Sequence, residues 1–154
     1  MWWHSHLGQQ RIDGLFGALI VRHNKTVANV SSLYDFDLSE HVVFVNDWLN
    51  ENSLVEYSPS LIEVGAKKAP SMLINGRGIF KIYFSDKNES FATPRSVFYV
   101  NLGYRYRFRL ISNGAVTCPI RFSIDFHNLT VIASDNHYVD PVEVESITVY
   151  PGNC

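Results

Sequence analysis

The sharpest periodicity in the chain lies at residues 104–111, where Tyr104, Tyr106, Phe108 and Leu110 alternate with Arg105, Arg107 and Arg109. Period two buries one side of a strand and leaves the other charged, so the arginine side reads as a solvated or interdomain face. Phe122, Ile124 and Phe126 alternate in the same way with Ser123 and Asp125. Residues 14–22, GLFGALIVR, form an apolar run too short for a helix, which predicts a buried strand. Further strands are expected at 42–49, 72–74, 129–133 and 147–150. Asn75-Gly76 is a strong turn signal directly after the second of these. Between them, residues 23–39 and 85–95 are polar and irregular and read as surface segments, and 50–71 reads as a long connection with room for one helical turn. No stretch sustains a 3.6-residue period. Short strands separated by turn-rich loops predict an all-β antiparallel sandwich or barrel.

Composition agrees with that class. The 154 residues are 46% hydrophobic and 14% aromatic, which is strand-leaning and globular. A net charge of −2 gives no electrostatic footprint for nucleic acid or acidic membranes. No apolar run approaches the roughly 20 residues of a membrane-spanning helix. The start, Met1-Trp2-Trp3-His4, lacks the features of a signal peptide, and the end falls on Cys154 just after Pro151-Gly152-Asn153. Both termini are expected to be internal to a longer polypeptide. Cys118 and Cys154 make neither a disulfide framework nor a zinc pattern. Asn24, Asn29, Asn88 and Asn128 each begin an Asn-x-Ser/Thr sequon, which favours a secreted glycoprotein.

The candidate chemistry is concentrated in His4-Ser5-His6. Residues two apart on a strand share a face, with side chains roughly 6–7 Å apart, so two imidazoles there can share one metal or serve two neighbours. Neutral imidazole suits copper, zinc, iron and nickel. Alone, the motif reads more simply as two partly buried histidines between tryptophans, or as an accident of the terminus. His23, His41, His127 and His137 have no second histidine at ligand spacing and read as surface or turn residues. Arg11 and Asp13 are expected to hold the following loop by hydrogen bonds, a proton-relay role for Asp13 being the lesser alternative.

The stretch from Trp3 to Arg22, WHSHLGQQRIDGLFGALIVR, resembles the second copper motif of laccases and related multicopper oxidases. So do YDFDLSEHVVFVNDWL at 34–49, LINGRG at 73–78, YRYRFRLIS at 104–112 and FHNLTVIASD at 126–135, in the family's order and spacing. Within the family, LINGRG and the Asp-Phe-Asp-Leu segment resemble insect members most. The resemblance implies a cupredoxin-like Greek-key β-sandwich or barrel. Residues 1–33 would be the end of cupredoxin domain 1, and 34–154 most of domain 2, with the linker at about 23–39. It implies that His4 and His6 ligate the type 3 copper pair, one on each ion. It also implies an oxidase that takes electrons singly from phenolic or similar donors at a type 1 copper and reduces O2 to water at a trinuclear cluster.

The family's other histidine motifs and its His-Cys-His segment do not occur in the chain, so type 1 and type 2 ligands are expected in further domains of the same polypeptide. The isolated piece is expected to be inactive. Fungal members pair a first-domain cysteine near the position of Ile12 with one near Cys118 and place an acidic residue beside the latter. Here those positions hold Ile12 and Pro119, so no disulfide and no donor-binding residue is carried over. Two other readings stay open at this point: a ferroxidase or ascorbate-oxidase-like relative with the same copper core, and a copper-free module that keeps the fold for binding.

Overall fold

The computed structural model describes residues 1–22, 30–57, 69, 71–79, 93–114 and 119–152. His23, Asn24, Asn29, Asn88, Cys118 and Cys154 lie outside them, as does most of the 85–95 segment.

Nine short strands carry the described chain. β1 (Trp2–His4) and β2 (Phe16–Ala18) form an antiparallel hairpin. β3 (Val42–Trp48) is the centre of a three-stranded sheet, antiparallel to β4 (Ser71–Ile74) and parallel to β5 (Arg109–Asn113). β6 (Ile120–Phe122) pairs with β9 (Ile147–Val149), and β7 (Leu129–Ser134) pairs with β8 (His137–Val144), both antiparallel. One short helix, α1 (Ser53–Tyr57), lies in the expected 50–71 connection. The parallel β3–β5 pair departs from the purely antiparallel expectation. Some 60 residues separate the two strands, ample for the crossover that parallel neighbours need.

β3 owes its central place to its sequence. Val43, Phe44, Val45, Asn46 and Asp47 are all buried, the near-continuous burial of a strand covered on both sides. With Ile111 of β5, at 1% exposure, these residues form the core, and each such aliphatic side chain contributes roughly 1.5–3 kcal/mol when fully buried. The Asn75-Gly76 turn behaves as its residues demand, both in left-handed conformation at φ 50° and 73°. Asn75 also bonds β3 on its own account. Its backbone N–H donates to Phe44 O at 2.8 Å, and its side-chain oxygen accepts from Phe44 N at 2.7 Å. Its amide donates to Val42 O at 2.8 Å. The side chain thus continues the β3–β4 ladder past the point where the backbone turns away.

Several expectations are corrected. The apolar run 14–22 yields only three strand residues, and Leu15, Leu19 and Val21 are exposed rather than buried. Period two alone does not hold 104–108 in a ladder. That stretch makes a single parallel bridge, Phe36 to Tyr106. Its arginines are not a freely solvated face: Arg105 stays exposed, but Arg107 and Arg109 are largely covered, and all three meet acidic partners. Arg109 grips Asp37 with two hydrogen bonds, and Arg105 bonds Asp35 through both backbone and guanidinium. Arg107 lies 3.9 Å from Asp37 and between the rings of Tyr34 and Tyr138. Phe36 meanwhile stacks on Tyr106 at 5.2 Å. The alternation Asp-Phe-Asp is thus answered by Arg-Tyr-Arg-Phe-Arg, charges on one side and rings on the other. Residues 30–38 are correspondingly packed, with Val30 and Tyr34 buried, where a surface linker was expected.

Burial pushes the Asp37 carboxyl up, but the hydrogen bond and charge of Arg109, with the charges of Arg107 and Arg22, outweigh it and hold it below its ordinary value. Burial likewise lowers Arg107, and its bonds to Tyr138 and Tyr34 and the charge of Asp37 overcompensate. His41, read as a surface or turn histidine, is fully buried between Tyr106 and Phe108. One ring nitrogen sits 3.0 Å from Tyr99 O and must donate, since a carbonyl only accepts. The β6 ladder ends at Phe122, and the alternation at 122–126 holds through Ile124 but fails at Phe126, which is exposed. Asp125 and Phe126 form a tight turn closed by the Ile124–His127 bridge.

Candidate metal centre

The hairpin β1–β2 presents the histidines. Its register sets His4 opposite Phe16 and Trp3 opposite Gly17, and Ser5 N donates to Leu15 O at 2.9 Å, one step beyond the ladder. Gly17 is required by the close approach of Trp3. A Cβ there would stand 2.7 Å from the indole nitrogen. The other side of the hairpin is fixed to the core. Phe16 stacks on Phe44 at 4.9 Å, and Trp2 meets the edge of the same ring at 5.9 Å. The Trp2 indole N–H donates to Gly152 O at 3.1 Å.

His4 shares the Trp2 side of the strand, its ring 4.3 Å from the indole. Its Nδ1 lies 3.0 Å from Ser5 O. A carbonyl can only accept, so Nδ1 carries the proton and Nε2 presents its lone pair, the tautomer a metal ligand needs. His6 lies two residues on, outside the strand and exposed. The two rings stand 6.2 Å apart at 77°. Neither is locked in the interior. That spacing serves two adjacent ions or, with a small rotation, one shared ion. The donor set is chemically suited to copper, since imidazole binds it well and nothing softer or harder is needed. Two imidazoles leave most coordination positions open. Among the described residues no cluster of three or more His, Cys, Asp or Glu side chains occurs.

The loop that follows is braced by the start of α1 and by the residue after β5. Asp13 accepts from Ser53 N at 2.8 Å and from the Ser53 hydroxyl at 2.7 Å, and Ser53 is fully buried at the start of α1. Arg11 reaches Gly114 O at 3.4 Å. Both residues hold the loop as expected, and Asp13 is occupied by hydrogen bonds from Ser53. His127 and His137 are exposed and each directly follows a tight turn, His137 as the first residue of β8, with Nδ1 on a backbone carbonyl two positions back, at 2.8 and 3.0 Å. An open cleft of about 890 Å³ lies between β2, β3 and β4, lined by residues such as Phe16, Val42, Trp48 and Leu73, and neither His4 nor His6 lines it. Sequence reading missed Ser53 as an anchor. Its only signal was the Asn52-Ser53 pair that opens a helix.

Comparison with known proteins gives one consistent answer. A family profile described as multicopper oxidase matches residues 39–154. The chain is 33% identical over 153 residues to Laccase-3 of Thanatephorus cucumeris, covering 98% of this chain and 25% of that protein. It is 36% identical over 155 residues to Laccase-2 of Agaricus bisporus, covering 97% and 27%. The laccase of Botrytis aclada superposes with a TM-score of 0.78 at 30% identity, covering 99% of this chain and 27% of that one. The chain therefore spans about a quarter of the length of the relatives it matches, and its mostly-strand architecture is that of a cupredoxin-like laccase domain.

Proposed function

We propose that this chain, which belongs to the multicopper oxidase family, supplies two type 3 copper ligands and a scaffold to a laccase-type oxidase. Residues 1–33 then close one cupredoxin domain and 34–154 form most of the next. The observation that carries the reading is the His4–His6 pair: two rings 6.2 Å apart, one with its tautomer fixed, on a hairpin bolted to Phe44.

Bound there, copper would supply the passage of electrons, taken singly from phenolic donors, to O2. The protein's part is positional. The Ser5 carbonyl holds the Nδ1 proton of His4 and keeps Nε2 free. Trp2 backs the His4 ring and ties the strand to Gly152. Asp13 ties the loop after His6 to the buried start of α1. Ligands held in place in this way would need little reorganisation on binding the metal. The exposed apolar side chains Leu15, Leu19 and Val21 beside the hairpin favour a neighbouring domain that covers them and brings the remaining ligands.

The same reading makes the protein extracellular, in keeping with the Asn-x-Ser/Thr sequons and laccase relatives. No helix among the described residues is long and apolar enough to cross a membrane. The test is O2 uptake with a diphenol by the longest natural polypeptide containing the chain. His4→Ala and His6→Ala should each abolish it, and uptake at the unaltered rate in both variants would defeat the proposal.

A further inference from the structure

Phe126 is the most anomalous residue of the described chain. It is a bulky aromatic in the left-handed region, φ 63°, where glycine is the residue that fits without strain, and its side chain is fully exposed at 105%. Strain and exposure both disfavour it, and neither the β6–β9 pair nor the β7–β8 pair gains a packing contact from its ring. Strain retained at one surface position points to a role for that position.

Its surroundings indicate which. Phe126 stands two residues before Asn128, the first residue of the sequon Asn128-Leu129-Thr130. Leu129 turns inward, while Asn128 and Thr130 are both exposed at the start of β7. Thr130 pairs with Glu143 of β8, and the Asn128 amide donates to the Glu143 carboxylate at 2.6 Å. This outward row is open to solvent.

We propose that Phe126 is the platform for the first N-acetylglucosamine of a glycan on Asn128. The inference rests on the reading of the chain as secreted. Attachment joins the sugar's anomeric carbon to Nδ2 and breaks that carbon's bond to a polyprenyl diphosphate donor. Nδ2 gives up one proton, and the diphosphate leaves. The second amide hydrogen remains, so the bond to Glu143 survives and directs the new C–N bond away from β8. A pyranose has a face made of C–H groups that packs on an aromatic face, where the ring's negative quadrupole favours polarised hydrogens. The left-handed turn leaves the Phe126 ring fully exposed two residues before the attachment point. The sugar covers the ring, and a contact made only in the glycosylated protein offsets the backbone strain.

The experiment secretes the longest natural polypeptide containing the chain from a eukaryotic host, with Phe126→Gly and Asn128→Gln variants. Mass spectrometry maps Asn128. Thermal midpoints are then measured intact, after trimming to one N-acetylglucosamine, and after complete removal by an amidase. The expected result is an occupied Asn128, a midpoint insensitive to trimming, and a fall of several degrees on complete removal that shrinks markedly in Phe126→Gly. Asn128→Gln should lower the midpoint more when Phe126 is present than when glycine replaces it, the remainder being the bond to Glu143. An empty Asn128, or an equal loss on sugar removal with phenylalanine or glycine at 126, overturns the inference. A copper-loaded protein with Asn128 empty defeats this inference alone. An occupied Asn128 in a protein that takes no copper defeats the oxidase reading alone.

Discussion

The carboxylate of Asp13 receives both the backbone N–H and the hydroxyl of Ser53, at 2.8 and 2.7 Å, and so joins the loop behind the histidine pair to the first turn of α1. Ser53 is wholly buried, which makes the bond expensive to break. Asp13→Ala leaves two buried donors without their acceptor and should cost about 1–3 kcal/mol in denaturant unfolding. Asp13→Asn keeps one acceptor oxygen and should lose less. If the loop positions His6, Asp13→Ala should also weaken metal binding, while Ser53→Ala, which spares the backbone bond, should do so less.

Asn75 offers a sharper dissection because it combines two effects. Asn75→Ala loses the bonds to Phe44 N and Val42 O, and with them the local hydrogen bonding that lets a residue with a Cβ sit at positive φ. The expected loss is about 2–3 kcal/mol. Asn75→Gly relieves the backbone and should recover about 1 kcal/mol of it. Equal losses in the two variants would show that left-handed strain plays no part. Both are measured by denaturant unfolding.

Asp37 predicts a pH dependence. Its carboxyl is held below the ordinary value of 3.8, with burial opposing and Arg109 dominating the arginines that lower it. A depressed folded-state value means that the unfolded chain binds the proton more readily. The stabilisation is therefore complete above about pH 3.8 and is lost as pH falls from there through the folded-state value. Acid unfolding followed by circular dichroism should show a shallower acid limb in Asp37→Asn. Arg109→Lys should behave similarly, because an ammonium cannot reproduce the paired bonds to Asp37.

Gly17→Ala tests the hairpin. The new Cβ would fall within 3 Å of three atoms of the Trp3 indole, so the ring must swing away. A loss of about 1–3 kcal/mol and a shift in tryptophan emission are expected. Unchanged emission would place Trp3 elsewhere.

What the sequence disclosed, and what it hid, follows one physical line. His4-Ser5-His6 and Asn75-Gly76 were legible because their chemistry is local: a two-residue period and a left-handed turn are written in adjacent residues. The β3 strand was legible because five consecutive positions are buried. The 34–38 and 104–109 stretches were misread separately. Asp35 and Asp37 are about seventy residues from Arg105 and Arg109, and each segment alone looks solvated. An apolar run such as 14–22 records that something covers it without saying what, and in this chain Leu15, Leu19 and Val21 face outward. His41 was misread because a histidine carries no sign of burial until Tyr106 and Phe108 are brought against it. Phe126 was counted as an inward residue of a continuing strand, and only its positive φ shows the turn.

The most direct test of the whole account is the copper content of the longest natural polypeptide containing the chain, unaltered and with His4→Ala and His6→Ala, read together with X-ray absorption of the bound metal. The account predicts a full copper complement with imidazole ligation in the unaltered protein. Each variant should lose copper from the coupled pair while keeping the fold by circular dichroism. Undiminished copper and an unchanged absorption spectrum in both variants would contradict it, because these two rings would then hold nothing.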